Sequence, residues 1–265
     1  MLSSYKTKLI FKQYLTRDVC LFRFQLQEPS ELHFVSGQYM ILVIPQNKDN
    51  LLRRLYSIAS SEKQINSFEL LIKLVEGGIG SSYLANLKIG DFVDFQGPAG
   101  QFGLKENNKN KIFLVTGTGI APMLSMINKL VNSKSKVLNP KQTLNFNDEN
   151  LKQKNMSKTF LFWGLATFQD VFYLDELKQI KKENPEFDFK ICLSREKDLL
   201  MIKYEDQQFF SLGHINDKLK MLHVTCYTLH DSEFYLCGRR EMVEGLRIEL
   251  EELGVGKEKI YFERF

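Results

Sequence analysis

The sequence predicts two domains of different class: an antiparallel β-barrel or sandwich over 1–105 and an α/β domain with a parallel sheet over 110–265. Three observations carry this expectation. The chain has 265 residues, long for one compact core and comfortable for two. Up to position 105 it consists of short apolar runs between turn signals. From Lys111 onward, segments of strand and helix character alternate.

In the first part the strand candidates are KTKLIFKQYL (6–15), VCLFRFQL (19–26), YMILVIP (39–45), RRLYSIASS (53–61) and SFELLIKLV (67–75). Glu28-Pro29, Ser36-Gly37, Gly77-Gly78 and GPAGQFG (97–103) supply the stops, as regularly spaced short strands require. SSYLANL (81–87) is the short helix, with Ser81 or Ser82 as its N-cap. In the second part KIFLVTG (111–117) is a strand and IAPMLSMINKLV (120–131) a helix beginning about Pro122. KTFLFWG (158–164) precedes the helix DVFYLDELKQIKKEN (170–184). FDFKICLSR (187–195), a helical stretch near GHINDKLKM (213–221), the strand EFYLCG (233–238), the helix REMVEGLRIELEELG (240–254) and the strand KIYFERF (259–265) follow. This alternation calls for a parallel sheet with helices on both faces. A Lys/Asn-rich stretch at about 132–158 is poor in large apolar residues and reads as a mobile surface loop or a partner-docking arm.

Composition narrows the function classes. Apolar residues are 43% and charged residues 26% of the chain, as in soluble globular proteins. Lys and Arg outnumber Asp and Glu 36 to 32, a net +4. That is too little for the basic stripe of a nucleic-acid binder, but it suits an acidic partner or a phosphorylated cofactor. Cys20, Cys192, Cys226 and Cys237 are scattered and match neither a zinc site nor an iron–sulfur spacing. Isolated thiols, with no signal-peptide pattern and no apolar run of about 18 residues, lead to the expectation of a cytoplasmic protein without membrane insertion.

Four segments carry chemistry. VTGTGIAPM (115–123) joins a strand to a helix through Gly117 and Gly119. Glycines there allow a phosphate to approach the backbone, and Pro122 suits a first helical turn. The free N–H groups and the helix dipole attract an anion. The segment is not G-x-G-x-x-G, so the ordinary Rossmann fingerprint fails, and a tight turn without a ligand stays open. GGIGSSYL (77–84) is either a second phosphate turn or a turn alone. CLSRE (192–196) places Ser194 and Arg195 at a strand's C-terminal end, where open α/β sheets bind ligands. A guanidinium there suits an adenosine 2′-phosphate or a surface ion pair. FYLCG (234–238) ends a strand on Cys237, itself a common core residue, and the chain closes on the aromatic Phe265.

Taken in order, RLYSIASS, GGIGSSYL, GDFVDFQGPAGQFG, TGTGIAPM, LSRE, YLCG with Met242 four residues after Gly238, and the terminal ERF resemble the ferredoxin–NADP reductase family over nearly the whole chain. The resemblance implies a Greek-key, FAD-binding β-barrel and an NADP(H)-binding α/β domain. It implies that Arg54 holds the flavin pyrophosphate, Tyr56 stacks on the isoalloxazine and Ser57 sits beside N5. The 78–81 turn, with Gly78 and Ser81, would cover the phosphate. Thr116, Gly117, Gly119 and Pro122 would receive the nicotinamide dinucleotide. Ser194 and Arg195 match the family's 2′-phosphate pair, with Lys203 and Tyr204 as helpers. Cys237 would border the nicotinamide, Glu263 would stand near the reacting atoms, and Phe265 would cover the flavin's other face. Hydride would pass from nicotinamide C4 to flavin N5, which requires the rings to stack near contact, with the cofactor supplying the redox chemistry.

The chain departs from this pattern in three places. Arg239 and Arg240 follow Cys237-Gly238 where many relatives carry Cys-Gly-Pro, Ala166 stands where several carry Arg, and the 132–158 stretch is additional. The function implied is a monomeric, FAD-dependent NADPH reductase that exchanges single electrons with ferredoxin, flavodoxin or a separate iron–sulfur protein. The alternatives are an NADH-dependent reductase component of an oxygenase or hydroxylase, with NAD(H) as the nucleotide, and an electron-transfer subunit of a larger complex. A free-flavin reductase would not need a firmly held FAD.

Overall fold

A computed structural model describes residues 2–47, 50–135, 157–223, 229 and 231–264. Strands β1 (Ser3–Tyr14), β2 (Val19–Glu28), β3 (Tyr39–Asn47), β4 (Asn50–Ser57), β5 (Ser67–Lys73) and β6 (Phe92–Ala99) form an antiparallel sheet in the order β4-β3-β6-β1-β2-β5. Insertion of β6 between β3 and β1 is a Greek-key arrangement. The end strands meet through an antiparallel bridge between Ile58 and Leu70 and a 2.9 Å bond from the Ala59 N–H to the Glu69 carbonyl, which curls the sheet into a barrel. Inside it Phe24, Phe68 and Phe95 are fully buried with ring centroids 4.9–5.6 Å apart. Each such ring stabilises the fold by about 1.5–3 kcal/mol on burial, so the aromatic interior does more to close the barrel than that short backbone seam. Helix α1 (Ile79–Asn86) follows β5.

The second sheet is parallel, in the order β10-β9-β8-β7-β11-β12. Its strands are β7 (Asn110–Thr116), β8 (Thr159–Leu165), β9 (Phe187–Leu193), β10 (Phe210–Leu212), β11 (Ser232–Gly238) and β12 (Ile260–Arg264). Every residue of β11 is buried, as expected of a central strand covered on both faces. Helices α2 (Ile120–Ser135) and α3 (Leu174–Glu183) cover one face through Met123, Met126, Ile127 and Leu177. Helices α4 (Ile215–His223) and α5 (Arg240–Glu252) cover the other through Ile215, Leu219, Val243, Leu246 and Leu250. The α5 residues recur at helical spacing. In α3, Asp175 and Glu176 open the helix and Lys181 and Lys182 close it, complementing its dipole.

Several expected elements shift. Gly78, not Ser81 or Ser82, caps α1, because the Ser81 hydroxyl instead accepts a bond from the Val75 N–H at 2.9 Å. Helix α2 begins at Ile120, directly after a 3-10 turn over Gly117–Gly119, so Pro122 is its third residue. The 170–184 helix starts only at Leu174. Before it, Thr167 and Asp170 form a capping box around a separate 3-10 turn, and Tyr173 takes a left-handed φ of 56°. Ser194 and Arg195 lie just past β9. Most of the 132–158 stretch, together with Cys226 and Phe265, falls outside the described residues, although α2 runs to Ser135.

The two halves share one core. Val19, Ala59, Leu71, Phe102 and Leu104 pack in the same cluster as Phe113, Val115, Met126 and Tyr235. Polar ties flank it: Ser36 Oγ lies 2.9 Å from the Glu62 carboxylate and 3.2 Å from the Ser125 carbonyl, and Lys129 bridges Glu62 and Glu106 at 3.2 and 2.9 Å. Behind the core, buried Lys111 pairs with buried Glu233 at 2.7 Å. Burial works against the Glu233 carboxylate, but bonds from Lys111, Asn107 and Tyr235 outweigh it and hold its pKa below the usual carboxylate range. Removing one partner of such a buried pair strands the other charge. Lys111→Met is therefore expected to cost about 3–5 kcal/mol in urea unfolding, with Lys111→Met/Glu233→Leu recovering much of the loss; a single variant within 1 kcal/mol of wild type, roughly the value of an exposed pair, would contradict this.

Candidate functional site

In the parallel sheet the chain runs outward from β7 in two directions, to β8, β9 and β10 on one side and to β11 and β12 on the other. The switch point therefore lies between β7 and β11, where open α/β sheets bind ligands beyond the strands' carboxyl ends. Two tight turns meet there. A Cβ on Gly119 would collide with the Cys237 carbonyl, and one on Gly238 would collide with Thr116 Oγ1 and Met242. The absence of side chains at both positions lets the 116–119 turn close on the end of β11. Gly117 adopts φ +54° with open space around it, and its carbonyl accepts a 2.9 Å bond from the buried Trp163 indole N–H. Thr116 Oγ1 is buried without a hydrogen-bond partner.

The barrel delivers its own residues to the same place. Ser57 ends β4 and donates its hydroxyl to Glu263 Oε2 on β12 at 2.9 Å. Cys237 pairs in register with Val115 on one side and Glu263 on the other, so thiol and carboxyl are strand neighbours. Burial pushes the Glu263 carboxyl above its ordinary pKa, with the Ser57 bond opposing in part. Burial, reinforced by the Glu263 charge, raises the Cys237 thiol well above its usual range. A thiol held protonated and fully buried is a poor nucleophile, so Cys237 bounds the site without attacking anything in it.

Upstream on β4, Arg54 is exposed and Tyr56 half-buried. The Arg54 guanidinium donates to the Arg53 carbonyl at 2.9 Å. The first turn of α1 presses on both: a Cβ at Gly80 would lie 2.5 Å from the Tyr56 hydroxyl and 3.1 Å from Arg54 Cγ. The N-cap of α1, Gly78, has no side chain to offer a cap bond, and no acidic residue stands in the helix's first turn. Its N–H groups are therefore open to an anion beside a guanidinium that makes no ion pair among the described residues. Gly80 gave no special signal in the sequence beyond belonging to a glycine cluster. Tyr39, paired opposite Ser57 and Ala99, was also missed. With Phe102, Tyr261, Phe262 and Glu263 it lines a cavity of about 300 Å³ between the halves. A cleft of about 340 Å³ along β8 and β9 is larger but contains none of these residues. Size alone does not select the site.

Ser194 and Arg195 sit two strands from β7, about 10 Å along the sheet. Their N–H groups bond to the Leu165 and Ala166 carbonyls at 3.0 and 2.9 Å, and Glu196 accepts the Phe168 N–H at 2.9 Å. This stitches the loops after β8 and β9 together. Arg195 is exposed and makes no ion pair among the described residues. Lys203 and Tyr204 begin the 3-10 helix after this loop, with Tyr204 88% exposed. The structure thus brings Ser57, Cys237 and Glu263 together, sets Arg54 and Tyr56 of the same β4 strand against the first turn of α1, and places Arg195 at the neighbouring strand ends. The Ser81 side chain is turned toward Val75, and Pro122 lies inside α2.

Comparison with known proteins shows the family and the fold. A family model described as oxidoreductase FAD-binding domain matches residues 6–104, and one described as oxidoreductase NAD-binding domain matches 113–247. The reductase component of propane 2-monooxygenase from Rhodococcus jostii is 27% identical over 265 residues, covering 98% of this chain and 63% of the relative; the chain thus spans under two thirds of that protein. NADH-cytochrome b5 reductase 1 from Lodderomyces elongisporus is 30% identical over 257 residues, covering 96% and 76%. Among solved structures, a ferredoxin NADP+ reductase from Neisseria gonorrhoeae with bound FAD and NADP shares the fold with TM-score 0.74 at 20% identity, each chain covered to 98%. An Amycolatopsis cytochrome P450 reductase gives 0.78 at 22%, covering 100% and 70%. The open Gly117 turn and the orphan Thr116 hydroxyl suit a dinucleotide, and the exposed Arg54 beside the first turn of α1 suits a flavin's phosphates, so the residues present fit both groups.

The raised Glu263 carboxyl sets a pH dependence. A carboxyl whose folded pKa exceeds its unfolded value supports the fold below the unfolded pKa, and that support is lost as pH rises through the folded pKa. Glu263→Gln keeps the acceptor for Ser57 and cannot ionise. The melting temperature of the variant, relative to wild type, should therefore climb between pH 4 and pH 8 in cofactor-free protein; a flat difference would contradict the assignment.

Proposed function

We propose a function on the premise that this chain belongs to the ferredoxin-reductase-type family of oxidoreductases, with an FAD-binding and an NAD-binding domain: it oxidises a reduced nicotinamide dinucleotide and passes the electrons singly to a protein partner. The observation that carries this reading is the 2.9 Å contact between Ser57 and Glu263, which sets the Arg54-to-Ser57 strand against the switch point of the parallel sheet. Bound FAD would supply the redox chemistry, taking a hydride and releasing electrons one at a time. The chain's residues hold and orient. Arg54 and the open N–H groups of α1 neutralise the pyrophosphate, and Tyr56 presents its ring to the flavin. Ser57 and Glu263 offer a hydroxyl and a carboxyl beside the reacting edge, and the neutral Cys237 thiol closes the nicotinamide side without competing for hydride. The 116–119 turn and Thr116 Oγ1 receive the dinucleotide. Phe265, outside the described residues, is proposed to cover the flavin's other face.

The nucleotide is proposed to be NADPH, because Arg195 carries no carboxylate among the described residues and lies past the end of β9 with Ser194; Lys203 and Tyr204 would assist on the adenosine. Ferredoxin, flavodoxin or a separate iron–sulfur protein is the proposed partner. A second reading, an NADH-dependent reductase component of an oxygenase system, is favoured by Glu196. Glu196 follows Arg195 in the chain and its carboxylate would suit a ribose 2′-hydroxyl, and the Rhodococcus relative is named as the reductase component of a monooxygenase.

Steady-state kinetics separate the two readings. A charge-assisted bond contributes about 1.5–3 kcal/mol. Arg195→Ala should therefore lower kcat/KM for NADPH about 10- to 100-fold and leave NADH within about twofold. An unchanged NADPH/NADH ratio would overturn the 2′-phosphate role, whereas purified protein that takes up no flavin would overturn the whole reading.

A further inference from the structure

We propose that Lys12, on a strand remote from the reacting edge, is a positioning residue that holds α1 in place for the flavin pyrophosphate. The inference rests on the FAD reading above and goes beyond it. Helix α1 has eight residues, no acidic residue in its first turn, no basic residue in its last, and no side-chain cap. A helix that short does not hold itself together in water. Its N-terminal turn is aligned by the close approach of Gly80 to Tyr56 and Arg54, and Leu84 buries its middle. The C-terminal end is held differently. Lys12 Nζ donates to the Ala85 carbonyl at 2.6 Å and to the Leu87 carbonyl at 3.0 Å. Its ammonium lies 5.8 Å from the centroid of the Phe22 ring, and Lys12 pairs with Phe22 across β1 and β2, so the cation is fixed to the barrel wall.

The ammonium satisfies carbonyls that the helix leaves open and places positive charge at the negative end of its dipole. An anion at the opposite end interacts with the same dipole through the N–H groups. Lys12 and the pyrophosphate would therefore support one short helix from its two ends, and each favours the ordered helix that the other needs. Without Lys12 the last turn loses its cation and its tie to β1. The N–H groups then no longer converge beside Arg54.

The test compares Lys12→Met, which keeps the stem and removes the charge, with Lys12→Arg, which restores a cation. Affinities of the cofactor-free full chain for FAD and for riboflavin, which has no phosphate, are read by flavin fluorescence. Amide hydrogen exchange is followed over 79–86. Lys12→Met should weaken FAD about tenfold or more and leave riboflavin within about twofold; exchange over α1 should accelerate, and Lys12→Arg should restore most of both. Equal weakening of FAD and riboflavin, or unchanged FAD affinity and exchange, would overturn the proposal. If Lys12→Met does not fold, Lys12→Gln carries the same comparison, with exchange over α1 as the deciding reading. A wild-type chain that binds no FAD would mark failure of the underlying flavin reading instead.

Discussion

Ser57 and Glu263 are 206 residues apart in the chain, yet their side-chain oxygens lie 2.9 Å apart. Two separately moving domains could not keep that geometry. It depends on a core that does not stop at the domain boundary: Phe102 and Leu104, from the segment after the barrel, are buried among side chains of the parallel sheet. Tyr235 is the pivot. Its ring contacts Phe102 and Phe113 and stacks on Tyr261 at 5.0 Å, while its hydroxyl accepts the Lys105 N–H at 3.0 Å. Tyr261 stands two residues before Glu263 on β12. The linker, the centre of the sheet and the carboxyl are thus fixed as one unit, which is the preorganisation that the proposed transfer between stacked rings requires.

Charge is arranged to leave the same face open. Arg23, Arg247 and Arg264 each meet a carboxylate. Arg54, Arg195, Arg239 and Arg240 are exposed and have none among the described residues. Arg54 stands on β4, Arg195 on the loop after β9, and Arg239 and Arg240 at the start of α5, just beyond the end of β11. Unpaired guanidinium groups in water cost little, and together they give the cofactor face a positive field that suits phosphates and acidic partners. The net +4 of the whole chain conceals this, because the lysines and carboxylates elsewhere largely cancel.

The fold was legible in the sequence because its signals are periodic. Turn-bounded runs became β1, β2, β3 and β5, and the change of rhythm after Lys111 became the parallel sheet. The glycine turn after β7 was legible as a tight one, though the close neighbour differs from the phosphate expected there: the Cys237 carbonyl takes the space that a Cβ on Gly119 would need. What escaped was decided by tertiary contacts. Ser81 has the chemistry of an N-cap, but Val75 offers its hydroxyl a better-placed donor. The 170–173 stretch reads as continuous with α3, yet the capping box of Thr167 and Asp170 and the left-handed Tyr173 break it. Three residues suffice for β10 only because β9 is beside it. Lys12 reads as one more solvated lysine on an alternating strand. Its bonds to Ala85 and Leu87, more than seventy positions away, could not be read from its neighbours.

The central claim is that this packing builds one flavin seat, with the pyrophosphate at α1 and the reacting edge where Ser57 meets Glu263. A crystal structure of the FAD-loaded protein tests it most directly. The account predicts the pyrophosphate beside Arg54 at the N-terminus of α1, the isoalloxazine against Tyr56 and N5 within hydrogen-bonding distance of Ser57. A flavin whose pyrophosphate lay instead on the 116–119 turn, or whose ring did not touch Tyr56, would contradict it.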